Sequence, residues 1–131
     1  MTEKLNDIDP YSVDLYQLRI DRRKSEKEPD EPQFEVTVGS VKRKENSCGI
    51  LFEMKFIFKF TIKIEMIALF YDENLKDLTD KELLELAIAN SYSVYSKMSL
   101  TLAFVFEQMG LNALFIPYSM FLKLAKKEEV A

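Results

Sequence analysis

The sequence predicts an α+β domain, a four-stranded antiparallel sheet followed by a long helix and a short C-terminal helix. Every even-numbered residue from Phe52 to Phe70 is apolar, and most odd-numbered residues between them are polar or charged. A period of two places the two sets on opposite faces of a strand. One polar face is typical of antiparallel sheets, because parallel sheets are covered on both faces. After residues 72–74 the apolar residues recur at helical spacing instead.

The first strand begins at Tyr11, and its apolar residues change parity at Leu15–Tyr16. One extra residue in a strand re-aims the side chains that follow it, so this change predicts a β-bulge. Residues 24–32 are charged, contain two prolines and carry no large apolar side chain, which indicates a solvent loop.

The next segments, 34–44 and 48–58, are predicted to form a hairpin around the turn-like residues 44–47. The alternating block then runs on to Phe70. At about 3.3 Å per residue it is far longer than an ordinary strand. We therefore expect a turn near Phe58–Thr61, although no Gly, Pro or Asn marks it.

Helix boundaries are predicted by residue type. Thr79 and Glu82 form a capping-box pattern at a helix start. Asn90–Ser91 marks a break, after which a second helix runs to Gly110, a residue that favours a left-handed cap. A short helix over 118–127 closes the domain. The helix over 91–110 is apolar around much of its circumference, which favours burial between subunits; the predicted oligomer-interface residues are Val94, Met98, Leu102, Val105, Phe106 and Met109.

Composition excludes several classes of function. The chain has 131 residues, which suits one domain, and a net charge of −4 with no basic cluster beyond 22–24 and 42–44, so nucleic-acid binding is not expected. No histidine is present, and there is one cysteine and three glycines. A Ser–His or Cys–His nucleophile and a glycine-rich phosphate loop are therefore absent. No enzyme activity, catalytic residue or cofactor is expected.

Two further features are expected to have structural roles only. Cys48 is expected to be a small buried residue. The acidic residues of 72–80 lack the spacing and central glycine of a calcium loop, so a solvated loop is expected and no metal site. A single cysteine fits a reducing compartment. Residues 1–10 do not have the pattern of a signal peptide. No apolar run approaches the roughly 18 residues that a membrane span requires. We expect a cytoplasmic protein without membrane insertion.

Several local patterns, in this order, resemble the SecB family of export chaperones. The opening strand, YSVDLYQLRIDRRKSE, is similar to the family's first strand, and FTIKIEMIALF (60–70) is similar to its last. Tyr95-Ser96-Lys97 resembles the Tyr-Ala-Arg near the start of the family's long helix. Leu111-Asn112-Ala113-Leu114 and Pro117 resemble the Leu-Asn-Leu and Pro that follow that helix. The resemblance covers roughly residues 11–122.

The resemblance implies a homotetramer built as a dimer of dimers, with hydrophobic grooves for unfolded clients and a sheet face that docks the SecA motor. The polar start and the charged end of the sequence predict a mobile segment 1–10, a single SecB-like domain 11–127 and a charged tail 128–131. Val94 replaces the family's helix-opening proline, the hairpin between the last two strands is very short, and Lys63 replaces an acidic residue used in docking SecA. The chain therefore resembles a divergent SecB-like chaperone, serving export, translocation or an antitoxin client.

Exposed apolar patches are tolerated where they bind something, whereas most aromatic residues on one sheet face are core. The resemblance places a client groove beside the second strand and the segment after the long helix. The candidate client-binding residues are Phe34, Val36, Val38, Leu114, Ile116, Tyr118 and Phe121. The alternative is a small structural or apolar-ligand-binding α+β domain without chaperone activity.

Overall fold

The computed structural model of the protein describes residues 8–21 and 31–130, with side chains as far as Lys126. It contains β1 (Ser12–Asp21), β2 (Gln33–Lys44), β3 (Ser47–Ile57) and β4 (Thr61–Tyr71) in one sheet of spatial order β1-β4-β3-β2, with every neighbouring pair antiparallel. A 3-10 turn (Glu73–Asp77) leads to the helices α1 (Asp80–Ala89), α2 (Tyr92–Gln108) and α3 (Tyr118–Val130). The predicted fold class is confirmed, while the predicted mobile segment 1–10 and loop 24–32 lie mostly outside the described residues.

The two predicted hairpins are present. β2 and β3 pair from Gln33–Ile57 to Lys44–Ser47, and β3 and β4 pair from Ile57–Thr61 to Ser47–Tyr71. The long alternating block is therefore divided by residues 58–60, where the Phe58 amide donates to the Phe60 carbonyl at 3.0 Å. The turn needs no glycine because none of these residues has a positive φ.

Two bulges re-aim side chains on the edge strands. The β1 register shifts between Leu15 and Gln17, as the parity change predicts, so Tyr16 is the extra residue. The β2 register shifts between Gly39 and Val41. There Ser40 adopts φ 52°, a left-handed conformation that is costly for a residue with a Cβ. This second bulge was not predicted, although the change from even-numbered Val36 and Val38 to odd-numbered Val41 indicates it.

The core lies between one face of the sheet and the helices. Even-numbered side chains of β3 and β4 are buried from Cys48 to Phe70, apart from half-exposed Phe58 and Phe60 in the turn. The Phe56 ring packs edge-on against Phe34 and against Phe106 of α2, with centroids 5.3 and 5.0 Å apart. Aromatic pairs in this arrangement add to the free energy gained from burial alone.

Local caps set the helix boundaries. The Glu82 amide donates to the Thr79 hydroxyl at 3.1 Å and the Thr79 amide donates to the Glu82 carboxylate at 3.0 Å, the predicted capping box. α1 ends at Ala89, and the buried Ser91 hydroxyl donates to the Ile88 carbonyl at 2.7 Å, which accounts for the predicted break. Gly110 has φ 73°, as its expected cap role requires. α3 continues to Val130, beyond the predicted end at 127 and into the predicted tail.

Among the described residues, no helix combines the length and apolar character needed to cross a membrane.

Candidate functional site

The predicted client groove is filled by the protein's own helix α3. Val36 and Val38 of β2 are 0% and 8% exposed, and Phe121 of α3 is fully buried. Ile116 is also buried, and Phe34 and Tyr118 are half-buried. Of the seven candidate client-binding residues, only Leu114 is an exposed large apolar side chain. The sheet face and α3 therefore bury each other's apolar side chains within the single chain, and the assignment of these residues to client binding stays a prediction.

Exposed apolar side chains lie instead on the connection between α2 and α3 and at the start of α3. Leu111, Leu114, Phe115 and Met120 are 44%, 41%, 57% and 47% exposed. These four residues lie within ten positions of one another in the chain. We name these four residues the loop patch.

The loop patch is held in place by an aromatic cluster beneath it. The Tyr95 hydroxyl donates to the Ile116 carbonyl at 2.6 Å, which fixes the connection to α2. Tyr118 lies with its ring centroid 5.1 Å from Tyr92 and 5.2 Å from Tyr95, and its hydroxyl lies 3.2 Å from that of Ser91. These contacts tie the end of the connection and the first residue of α3 to the start of α2, which supports the patch on one side.

The loop patch contains no charged side chain, and the first charged residues that follow it in the chain are lysines. Residues 108–122 include no ionisable acid or base apart from Tyr118. The first charged residues that follow are Lys123 and Lys126, and both are exposed on α3. The arrangement can accept apolar side chains without desolvating a buried charge, which is the costly step in binding apolar groups.

A second apolar surface lies where β1 meets α2. Leu15, Leu18 and Ile20 pair with Met66, Ile64 and Ile62 of β4, so they face the helix side of the sheet, yet they are 50%, 39% and 43% exposed. On α2, Leu100 and Phe104 are 69% and 60% exposed. Lys97, which shares their helix face, donates to the Val13 carbonyl, so that face borders β1. We name these five residues, Leu15, Leu18, Ile20, Leu100 and Phe104, the β1–α2 patch.

The predicted interface residues of α2 lie on the opposite face of the helix. Val94, Met98, Leu102, Val105 and Phe106 are at most 3% exposed, and Met109 is half-buried. The subunit's own sheet and helices cover them, so they are core residues of a single subunit. A partner that packs on α2 would instead contact the β1–α2 patch.

The remaining candidates have structural roles. Burial raises the pKa of the Cys48 thiol, against a smaller opposing effect of Arg43, and the residue is 1% exposed. Asp72 accepts the Asn74 amide at 2.8 Å, and Asp80 accepts a bond from Arg43 at 2.9 Å. Within residues 8–21 and 31–130, no three Cys, Asp or Glu side chains are gathered closely enough to hold a metal ion.

Comparison with known proteins gives a fold likeness. No family model matches the chain, and no curated protein matches it at a significant level. Among solved structures, it is similar to the Mycobacterium tuberculosis Rv1957 SecB-like chaperone in complex with a ChAD peptide from the Rv1956 HigA1 antitoxin, with a TM-score of 0.61 and 11% identity over 88% of this chain and 97% of that one. A protein of unknown function from Streptococcus agalactiae is also similar, with a TM-score of 0.45 and 13% identity over 85% and 97% of the two chains. The chain therefore has the fold of a SecB-like chaperone.

Proposed function

We propose that this protein is a SecB-like chaperone that binds unfolded or nascent polypeptides through the loop patch and keeps them soluble. The observation that carries the proposal is the exposure of four large apolar side chains on a rigidly supported connection. Soluble proteins seldom expose contiguous apolar surface unless it binds something. The likeness to a SecB-like chaperone supports the same role at the level of the fold.

The chemistry of the patch suits clients without a fixed sequence. Leucine, phenylalanine and methionine offer apolar area, and the flexible Met120 side chain can adapt to different partners. An extended client would gain the free energy of burying its apolar side chains and would lose conformational freedom on binding. The proposed role needs no catalytic residue and no cofactor, and membrane insertion and nucleic-acid binding form no part of it.

We further propose that the β1–α2 patch joins two copies of the chain. β1 is an edge strand, so its outer backbone groups are available to pair with another strand. A second copy would cover Leu15, Leu18 and Ile20 as well as the exposed face of α2, and two such dimers would form the tetramer that the SecB resemblance implies. Phe104→Asp should therefore lower the mass measured by light scattering. Tyr11→Asp changes a more exposed aromatic residue outside the patch and should leave the mass unchanged.

The class of client is proposed from the similar solved structure. The Rv1957 chaperone was solved with a peptide from an antitoxin, and an antitoxin or an exported protein is the proposed client here. SecA is the less favoured partner, because Lys63 of the sheet face lies 3.2 Å from Glu65 and replaces the expected acidic group.

The direct test is suppression of aggregation. The purified protein at micromolar concentration should reduce light scattering from a chemically denatured model protein on dilution, and peptides co-purified with it should be identifiable by mass spectrometry. Failure to bind any unfolded chain at that concentration refutes the proposal. A monomer that retains a small apolar molecule through purification would favour a ligand-binding domain instead.

A further inference from the structure

The sheet face turned away from the helices is divided into a charged zone and an apolar zone. Toward the β3–β4 turn, Glu53 lies opposite Glu65 and Lys55 opposite Lys63, and the Lys63 ammonium lies 3.2 Å from Glu65 and 3.9 Å from Glu53. This charged zone is internally compensated by its own ion pairs. Toward the β2–β3 hairpin, the cross-strand pairs are Gly49 with Leu69 and Leu51 with Ile67.

The apolar zone is a groove with aromatic walls. Two adjoining depressions that share Lys42 and Gly49 make up the groove. Gly49, Leu51, Ile67 and Leu69 form the floor, Ser40, Lys42 and Lys44 the rim, and Tyr16 and Tyr71 each border one depression. Tyr16 and Ser40 are the extra residues of the two bulges, which therefore aim side chains at opposite sides of the groove. Gly49 contributes to the depth, because a Cβ added there would contact the Ile67 side chain at 3.5 Å and occupy the floor. We name these nine residues the outer-face groove.

The charge of the outer-face groove is opposite to that of the protein. The chain has a net charge of −4, yet the described side chains that line the groove include no carboxylate; Asp14 of β1 lies beside the groove, opposite the floor residue Ile67. Neither Lys42 nor Lys44 forms an ion pair with any residue in the described part of the chain. Arg43, between them, is engaged elsewhere by Asp80 at 2.8 Å. Among the described residues, two ammonium groups without an ion-pair partner therefore lie on the β2 side of an apolar floor.

We propose that the outer-face groove docks an acidic segment of another polypeptide that carries apolar or aromatic anchor side chains. An anchor would lie on the floor beside Tyr16 or Tyr71, and carboxylates next to it would approach Lys42 and Lys44. Central apolar anchors with charges at the rim are the ordinary arrangement of protein interfaces. This surface is separate from the loop patch, and the inference does not depend on chaperone activity.

The groove favours a polypeptide over the other anionic ligands. It is open along the sheet, so a small apolar acid would leave much of its surface in water, whereas pockets for small molecules enclose most of the ligand. A single-stranded nucleic acid would need a cationic track along its backbone, and the groove offers two lysines at one end. An extended acidic segment suits both the open shape of the groove and its two lysines, since it can cross the sheet and place its charges beside its anchor side chains.

The test uses fluorescein-labelled peptides of four repeats each, Glu-Glu-Phe, Glu-Glu-Ala and Lys-Lys-Phe, together with labelled oligothymidylate, all titrated with the full chain and followed by fluorescence anisotropy. The Glu-Glu-Phe peptide should bind most tightly. Lys42→Glu with Lys44→Glu should weaken it by about tenfold at low salt, because two attractions become repulsions. Lys59→Glu with Lys81→Glu makes the same change of net charge at exposed positions outside the groove and should leave the affinity within about twofold.

A second variant tests the floor without changing charge. Gly49→Leu should weaken the Glu-Glu-Phe peptide, because the new side chain fills the space beside Ile67, and its thermal unfolding reports whether the fold is retained. Equal binding of the Lys-Lys-Phe peptide, preferential binding of oligothymidylate, or equal weakening by the two double variants would each overturn the inference. Phe115→Ala should retain peptide binding here, which separates this site from the loop patch.

Discussion

Phe115→Ala is the sharpest test of the loop patch. The ring is 57% exposed, the highest value among the four patch residues, so its removal changes the patch without opening the core. No hydrogen bond depends on the ring, and the backbone of the connection is held through the neighbouring Ile116 carbonyl. We therefore expect the substitution to affect binding rather than folding, with the free energy of unfolding changed by no more than about 0.5 kcal/mol.

The size of the effect follows from the exposed area. A phenylalanine side chain offers about 200 Å², of which 57% is exposed here, leaving about 115 Å² available to a client. At about 25 cal/mol per Å², full coverage would contribute about 3 kcal/mol. A client that covers half of this area would lose about 1.5 kcal/mol on truncation to alanine, or roughly tenfold in Kd.

The assay compares the wild type with two variants. Affinity for a fluorescently labelled, permanently unfolded polypeptide is measured by anisotropy, and suppression of aggregation is measured by light scattering at equal chaperone concentrations. Phe115→Ala should weaken both by about tenfold. Tyr11→Ala removes an aromatic ring that is 75% exposed outside the loop patch and is the matched control.

Two outcomes would refute a specific role of the loop patch in client binding. If Phe115→Ala binds the unfolded polypeptide as tightly as the wild type does, the loop patch is not the client site. If Tyr11→Ala weakens binding equally, exposed aromatic surface in general is responsible and the loop patch has no special role.

Three further predictions concern stability, and urea or thermal unfolding checks each. Arg43→Met should lower the free energy of unfolding by about 1–2 kcal/mol, because the Leu78 carbonyl loses a charged donor that lies 2.5 Å away. Asp80→Asn removes the exposed ion pair with Arg43 and should cost less than about 1 kcal/mol. Equal losses would contradict this ranking. Ser40→Gly should raise stability by about 0.5–1 kcal/mol by relieving the left-handed conformation, and a loss would show that the serine side chain matters more. The Thr79 amide, and secondarily its hydroxyl, lower the pKa of Glu82 below its ordinary value of 4.5. The stabilisation from this carboxylate is therefore present above pH 4.5 and is lost as pH falls through the lower pKa of the folded protein. Glu82→Gln should reduce the loss of stability on acidification, and an unchanged loss would refute this role of Glu82.

Much of the strand architecture was predictable because side-chain alternation is a local property. The parity of the apolar residues in 52–70 identifies the buried face of two strands, and the parity change after Leu15 identifies the bulge that the register of β1 contains. Thr79 with Glu82, and Gly110, likewise set helix ends through contacts within one turn. These features follow from covalent geometry and nearby hydrogen bonds, and no distant residue is needed to decide them.

The functional surface was harder to predict because exposure depends on what packs where. An apolar sequence such as 111–116 reads the same whether its side chains are buried or exposed, and the structure buries Ile116 while leaving Phe115 in solvent. One signal in the sequence did point to it: residues 108–122 lack formal charge without having the period of a strand or of a single helix. For the outer-face groove the signal is weaker: Ile67 and Leu69 are apolar at odd-numbered positions, but the other lining residues are spread over all four strands.

The sequence by itself determined the sheet, its bulged first strand and the positions at which the helices begin, since each depends on residue type and short-range spacing. Only the tertiary structure decided which apolar side chains remain available. Helix α3 covers Val36 and Val38, and α2 turns Val94 and Met98 toward its own sheet, so most residues of both predicted sets are buried. The physical reason is that burial is a competition among all apolar surfaces of the chain for the same partners, and a sequence pattern records the candidates without recording which of them pack together.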